Sequence, residues 1–304
     1  MKHTYSAFGM VLESEIPLQL PLWTPEVSQS QRSKRVNLTV RYGAIGNYPS
    51  TWHTINSTEY GVVGEAVLVR VRSVADYLLE GNTIVIQPHD RATELTIGRF
   101  LVGLVMGIFL MRKKALMLHG SAVLKDGQAI GLIGHQGSGK STTAAKLATL
   151  GYAVLCDDII PIMNLLDAHQ QEIPMITPGV PRPKLLPDAY QKLIGDPEQA
   201  AHLFDGVDKY QSSLLESHES APLKALCLLS PATDVQEVQM ERITGHKKVP
   251  LVMAHCSFLQ GLENHHQLFA RTLAMLASVP LYRINRPTTG DSLDQVAALI
   301  QSID

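Results

Sequence analysis

The residues best able to do chemistry lie in one octapeptide, Gly134-His135-Gln136-Gly137-Ser138-Gly139-Lys140-Ser141, a complete G-x-x-x-x-G-K-[ST] loop. Its glycines let the backbone turn tightly and aim N–H groups at phosphate oxygens. Lys140 adds a point charge at the β- and γ-phosphates, and the Ser141 hydroxyl can ligand Mg2+. An aspartate pair, Asp157-Asp158, comes next, with Asp158 standing 18 residues after Lys140. Two adjacent acids point in different directions and suit two roles. One can hold the metal ion; the other can take a proton from an attacking hydroxyl. His119 stands 21 residues before Lys140. Taken alone it reads as a structural histidine closing a short apolar run. The loop therefore implies ATP or GTP, with Mg2+, and the acids imply chemistry at the γ-phosphate.

These residues need elements to position them. Ala129–Ile133 is a short apolar run suited to a buried strand, and Thr142–Leu150 is helix-prone and stops at Gly151. Strand, loop and helix in that order bring phosphate to a helix N-terminus, where Thr142 joins the nucleotide contacts. Tyr152–Cys156 has a buried-strand pattern, so the aspartates should emerge at its C-terminal end, beside the phosphates. The Asp126-Gly127 turn is a hairpin signal. From about Thr93 strands alternate with helices, the texture of an α/β nucleotide-binding layer. Before it the chain is β-rich, with strand patterns at Ala7–Leu12, Val36–Tyr42, Ala66–Val71, Val74–Leu79 and Thr83–Gln87. The expected division is a β-rich N-terminal domain over 1–92 and a P-loop domain over 93–304.

Composition narrows the class. With 304 residues the chain can hold two domains, and 45% hydrophobic with 18% charged residues is ordinary for a soluble protein. A net charge of −2 gives no electrostatic footprint for nucleic acid. Three cysteines (Cys156, Cys227, Cys256) without C-x-x-C spacing suit a reduced, cytoplasmic protein. No secretory signal follows Met1-Lys2-His3-Thr4, and no membrane partner is expected. The most apolar segment, Phe100–Met111, is shorter than the ~20 residues of a spanning helix. It reads as a buried core helix packed closely at Gly103 and Gly107.

Leu118-His119-Gly120-Ser121-Ala122, the loop 134–141 and Cys156-Asp157-Asp158 together resemble the catalytic domain of the HPr kinase/phosphorylase family. Further along, Pro178-Gly179-Val180-Pro181-Arg182-Pro183-Lys184-Leu185 and Tyr282-Arg283-Ile284-Asn285-Arg286-Pro287 resemble a divergent stand-alone branch. That branch includes lasso-peptide kinases, which phosphorylate a C-terminal serine of a precursor. The resemblance implies an HPr-kinase-like P-loop fold. It also implies Asp158 as general base, His119 helping to orient it, and Asp157 and Ser141 serving the metal. True HPr kinases carry a metal-binding glutamate after the base, whereas the matching stretch here is Arg182-Pro183-Lys184. This departure counts against reverse phosphorylase activity and against HPr as substrate.

Arg182, Lys184, Lys209 and Arg286 are the basic candidates for phosphate or acceptor contacts. His255, Cys256, His265 and His266 match no zinc spacing and read as a solvated helix end. The leading expectation is an ATP-dependent kinase acting on a peptide serine, docked by the N-terminal domain. The alternatives are a kinase for a small hydroxyl compound and a nucleotide-binding regulator without an acceptor. Members of the resembled family form homo-oligomers; the C-terminal part departs from them, so the oligomeric state stays open.

Overall fold

β-branched and aromatic residues spaced by two, punctuated by Gly and Asp turns, make this chain a protein of large sheets. The computed structural model describes residues 2–20, 22, 37–55, 58–166, 171–196, 202–204, 207–211, 214–257, 259, 262 and 264–303. It is a mixed α/β protein of two compact units. One comprises Met1–Lys114 and Phe258–Asn264, the other Ala115–Ser257 and His265–Asp304.

The first unit holds strands β1 (His3–Ala7), β2 (Met10–Ser14), β3 (Leu38–Tyr42), β4 (His53–Ile55), β5 (Thr58–Val63), β6 (Ala66–Val71), β7 (Ala75–Glu80) and β8 (Thr83–Pro88). They form one sheet in the order β1-β2-β3-β8-β7-β6-β5-β4. The expected strand at Ala7–Leu12 is instead a hairpin turn. Phe8 and Gly9 both take positive φ, 54° and 68°, the twist that joins two antiparallel strands in two residues. Helices α1 (Glu94–Phe100) and α2 (Met106–Arg112) follow, joined by a π-helical turn over Leu101–Val105.

Together they form a 19-residue helix, Glu94–Arg112, by length and composition enough to cross a bilayer. Yet Ile97, Leu101, Val105, Met106 and Phe109 are buried, and the Tyr77 hydroxyl donates to the Ile97 carbonyl at 2.9 Å. Arg112 likewise donates to the Glu65 carbonyl, and Lys113 to Asn82. These ties place the helix in the first unit, so the units divide after Lys114 rather than at 92/93. The expected close packing does not occur at Gly103, where a Cβ would meet nothing within 4 Å. It occurs at Gly98, where a Cβ would stand 3.2 Å from Leu18.

The second unit opens with β9 (Leu116–Lys125) and β10 (Gln128–Ile133), a hairpin turned by Asp126-Gly127 as the sequence predicts. Then come α3 (Lys140–Thr149), β11 (Ala153–Cys156), β12 (Ile159–Leu166), β13 (Glu172–Ile176), β14 (Lys184–Leu185), α4 (Pro187–Leu193), β15 (His202–Phe204) and β16 (Val207–Gln211). The chain continues through β17 (Ala221–Ala232), β18 (Gln239–Ile243), α5 (Lys248–Met253), α6 (His265–Ser278), β19 (Leu281–Pro287) and α7 (Leu293–Gln301). β9 pairs β10 along one edge; along its other edge it pairs β12 over 116–119 and β11 over 122–124. β10 runs parallel to β17, and β17 to β19. Since β13 joins β12 to β17, strands β9, β12, β13, β17 and β10 close a ring.

Helix α3 is anchored by Ala144 and Leu147, which pack with Val123, Leu132, Ala225, Cys227 and Ile284 of the sheet and Val296 and Ile300 of α7. This apolar face fixes the helix that follows the loop 134–139. Leu147→Ala should lower stability by about 3 kcal/mol, the cost of a poorly collapsing core cavity, read by equilibrium urea unfolding.

Candidate active site

Strand β10 ends at Ile133, and the loop 134–139 carries the chain into α3. Gly134 has φ +151°, and a Cβ there would meet the Leu229 carbonyl at 2.6 Å, so the turn out of the strand admits glycine alone. Gly139 caps the helix in the left-handed region at φ +94°. The first N–H groups of α3 lack intrahelical partners by geometry and face the loop. Lys140 folds back into it, its ammonium donating to the carbonyls of Gly134 at 2.8 Å and His135 at 2.9 Å. Ser138 Oγ is buried and, among the described residues, has no hydrogen-bond partner.

Asp157 and Asp158 lie where β9 hands over from β11 to β12. Asp158 is held at φ +68°, a left-handed conformation that Asp tolerates better than most residues, and the kink turns the two carboxylates apart. Asp157 points inward and is 7% exposed. Its carboxylate accepts from Ser121 Oγ at 2.6 Å, from the Lys184 amide at 3.1 Å and from the Ser141 hydroxyl. Burial, and then the Asp158 charge, push its pKa up; those three hydrogen bonds oppose the shift. Asp158 points outward into partial solvent and is ion-paired with the Lys184 ammonium.

His119 bonds the backbone rather than the acid: its Nδ1 lies 2.9 Å from the Asp158 carbonyl, which also accepts from the Gly120 amide. The ring thus braces the kinked peptide. The His119 amide in turn donates to the His255 carbonyl at 2.8 Å. An isolated bridge, Leu118 to Cys256, continues the β9 edge beyond the end of β10 and delivers His255 to the loop. The rings of His255 and His135 meet edge to face at 5.1 Å between centroids. His255 is therefore buried beside the phosphate loop, not a solvated helix end; His265 and His266, at the start of α6, are exposed. Nothing in the local sequence of His255 signals this, because its neighbours there come from 120 and 136 residues upstream. Ser121 stands in the segment that carries the resemblance, but its hydrogen bond to Asp157, 36 residues on, shows only in the structure.

The four basic candidates separate. Lys184 belongs to the site. Arg182 turns to Glu216 at 3.0 Å, a carboxylate that the bridge of Glu216 to Val154 brings alongside, so its charge is spent structurally. Arg286 reaches the loop, its Nε donating to the Ser138 carbonyl at 3.3 Å. The Lys209 side chain lies outside the described residues. Among the described residues no three His, Cys, Asp or Glu side chains gather as a metal cage. The Ser141 hydroxyl and Asp157 carboxylate remain as a two-group site of the kind Mg2+ takes when phosphates and water complete its shell.

The chain matches no family model and no curated protein. Among solved structures it is similar to the Hpr(Ser) kinase/phosphatase from Coxiella burnetii. The two share 14% identity over 62% of this chain and 92% of that one, with a TM-score of 0.28. A likeness so distant carries no argument about activity.

Burial, with the charges of His135, Lys140 and His119 adding to it, pushes the His255 pKa down to about 4 from 6.5. Between those values the unfolded chain takes up a proton that the folded one refuses, so stability falls as pH falls through that window. Urea unfolding at pH 6.5 and 4.5 should show a steeper loss for wild type than for His255→Gln. Parallel losses would mean that His255 is not held neutral.

Proposed function

We propose that the protein is a kinase that uses ATP and Mg2+ to phosphorylate a hydroxyl group, with a peptide serine as acceptor. The observation that carries this reading is the division of labour between the two aspartates. One is buried against the phosphate-loop serine, and the other projects outward beside a lysine. A nucleotide-binding module without an acceptor has no use for the second. The peptide serine rests on the sequence resemblance to the lasso-peptide branch.

The residues fit the groups they would hold. The loop is glycine-lined and open, a Cβ at Gly137 meeting nothing within 4 Å, and it contains the orphaned Ser138 hydroxyl. Ser141 and Asp157 would hold the metal ion, which when bound supplies charge neutralisation at the phosphates. Lys140 is already at the loop mouth and exchanges its two carbonyl partners for phosphate oxygens. The α3 N-terminus adds its partial positive charge. Asp158 takes the proton of the acceptor hydroxyl, and His119 holds the Asp158 peptide so that the carboxylate keeps its outward aim. Lys184 is ion-paired with this base, and its charge can follow the group being transferred. Phosphoryl transfer depends on such positioning and charge more than on covalent catalysis. The three free thiols support a reducing compartment, in line with a cytoplasmic enzyme.

Transfer from labelled ATP to seryl peptides tests the reading. Asp158→Asn keeps a residue tolerant of the left-handed backbone and should slow transfer roughly a hundredfold or more, with ATP affinity retained. Undiminished transfer by that variant would remove Asp158 as the base. Lys140→Ala should weaken ATP binding roughly tenfold or more. Robust turnover in Lys140→Ala would sink the whole site.

A further inference from the structure

The phosphate loop has two flanks, and they differ in chemistry. Asp157 and Asp158 hang from β11 and β12, which pair β9 on the edge away from β10. With Ser141 they mark the metal end, where β- and γ-phosphates belong. The nucleoside must then leave across the opposite flank, toward β17 and β19. Ile133 at the end of β10 is level with Leu228, and Leu228 with Arg283. Arg286 therefore stands three residues beyond the end of β10, about 10 Å up, at the height of the loop itself.

Arg286 also differs from Arg283, Arg182 and Lys184. Arg283 is paired with Glu241, Arg182 with Glu216 and Lys184 with Asp158. Among the described residues, Arg286 has no carboxylate partner; its hydrogen bond goes to the Ser138 carbonyl. Its guanidinium atoms lie 3.5–3.9 Å from where a Cβ would stand on Gly139. The buried, unpartnered Ser138 hydroxyl belongs to the same turn. Beyond Arg286 the chain leaves the sheet through Thr288, Thr289 and Gly290, all exposed.

We infer that Arg286 forms the nucleobase end of the nucleotide site, its guanidinium stacking on a purine ring. A guanidinium is planar, weakly hydrated and stacks well on aromatic faces. The bond from Nε to the loop fixes the orientation of that plane before any base arrives. The triphosphate is already served on the other flank, so a planar cation on this one suits the ring. This subsite rests on the phosphate-loop reading above.

Calorimetric titration of the full chain with ATP and with inorganic triphosphate tests it. Arg286→Ala should lose roughly tenfold in ATP affinity, the scale of a base–side-chain stack, while inorganic triphosphate binds as to wild type. Arg286→Lys keeps the charge but not the plane, and should lose ATP affinity to a similar degree. Equal losses for both compounds would make Arg286 a phosphate contact and overturn the proposal. Wild-type ATP affinity in either variant would overturn it as well, leaving the kinase reading intact. Failure of the wild-type chain to bind either compound would bring down the phosphate-loop reading and the subsite together.

Discussion

A carboxylate withdrawn from water has to be matched by hydrogen bonds, and the site in the second unit is built around one such carboxylate. Asp157 draws donors from three separate elements: Ser121 on β9, the Lys184 amide on β14 and Ser141 on α3. Each bond locates an element relative to the others, so β9, β14 and α3 meet at one point. Next to this junction the backbone kinks: Asp158 takes φ +68°, and its carboxylate faces partial solvent beside Lys184.

What the sequence revealed was what lies close together along it. The loop 134–141, its flanking strand and helix, the Asp126-Gly127 hairpin and the acid pair after β11 are all local patterns, and each stands where it is expected. The basic residues were less legible because a charge takes its role from a partner elsewhere in the chain. Glu216, 34 residues on, claims Arg182; Asp158, 26 residues back, claims Lys184. His255 was the hardest of all, since only an isolated bridge to β9 brings it to the loop. The unit boundary was misplaced for a related reason. Hydrophobic texture changes near Thr93, but the helix it announces is tied to strands that precede it. The Phe8-Gly9 turn hid inside an apolar run because its signal is backbone conformation, with one aromatic residue standing where a polar one is usual.

The site also has a polarity that single motifs do not express. On the flank of β9 and β11 stand carboxylates, a hydroxyl and a lysine ammonium, all suited to metal, phosphate and a hydroxyl about to react. On the flank of β17 and β19 stands a planar cation beside exposed, uncharged chain. Between them Lys140 is held by two carbonyls of its own loop, so the central cation is in place without any backbone rearrangement.

Strand β9 carries a consequence for how such a chain can change. It serves three partners at once, and its side chains alternate between the two faces, so Ser121 meets Asp157 only in the present register. A single-residue insertion or deletion between Leu116 and Ser121 would reverse that alternation from there on. It would turn the hydroxyl away from the buried acid even if every strand still formed. The register of this ten-residue strand is therefore as much a part of the site as the residues it carries.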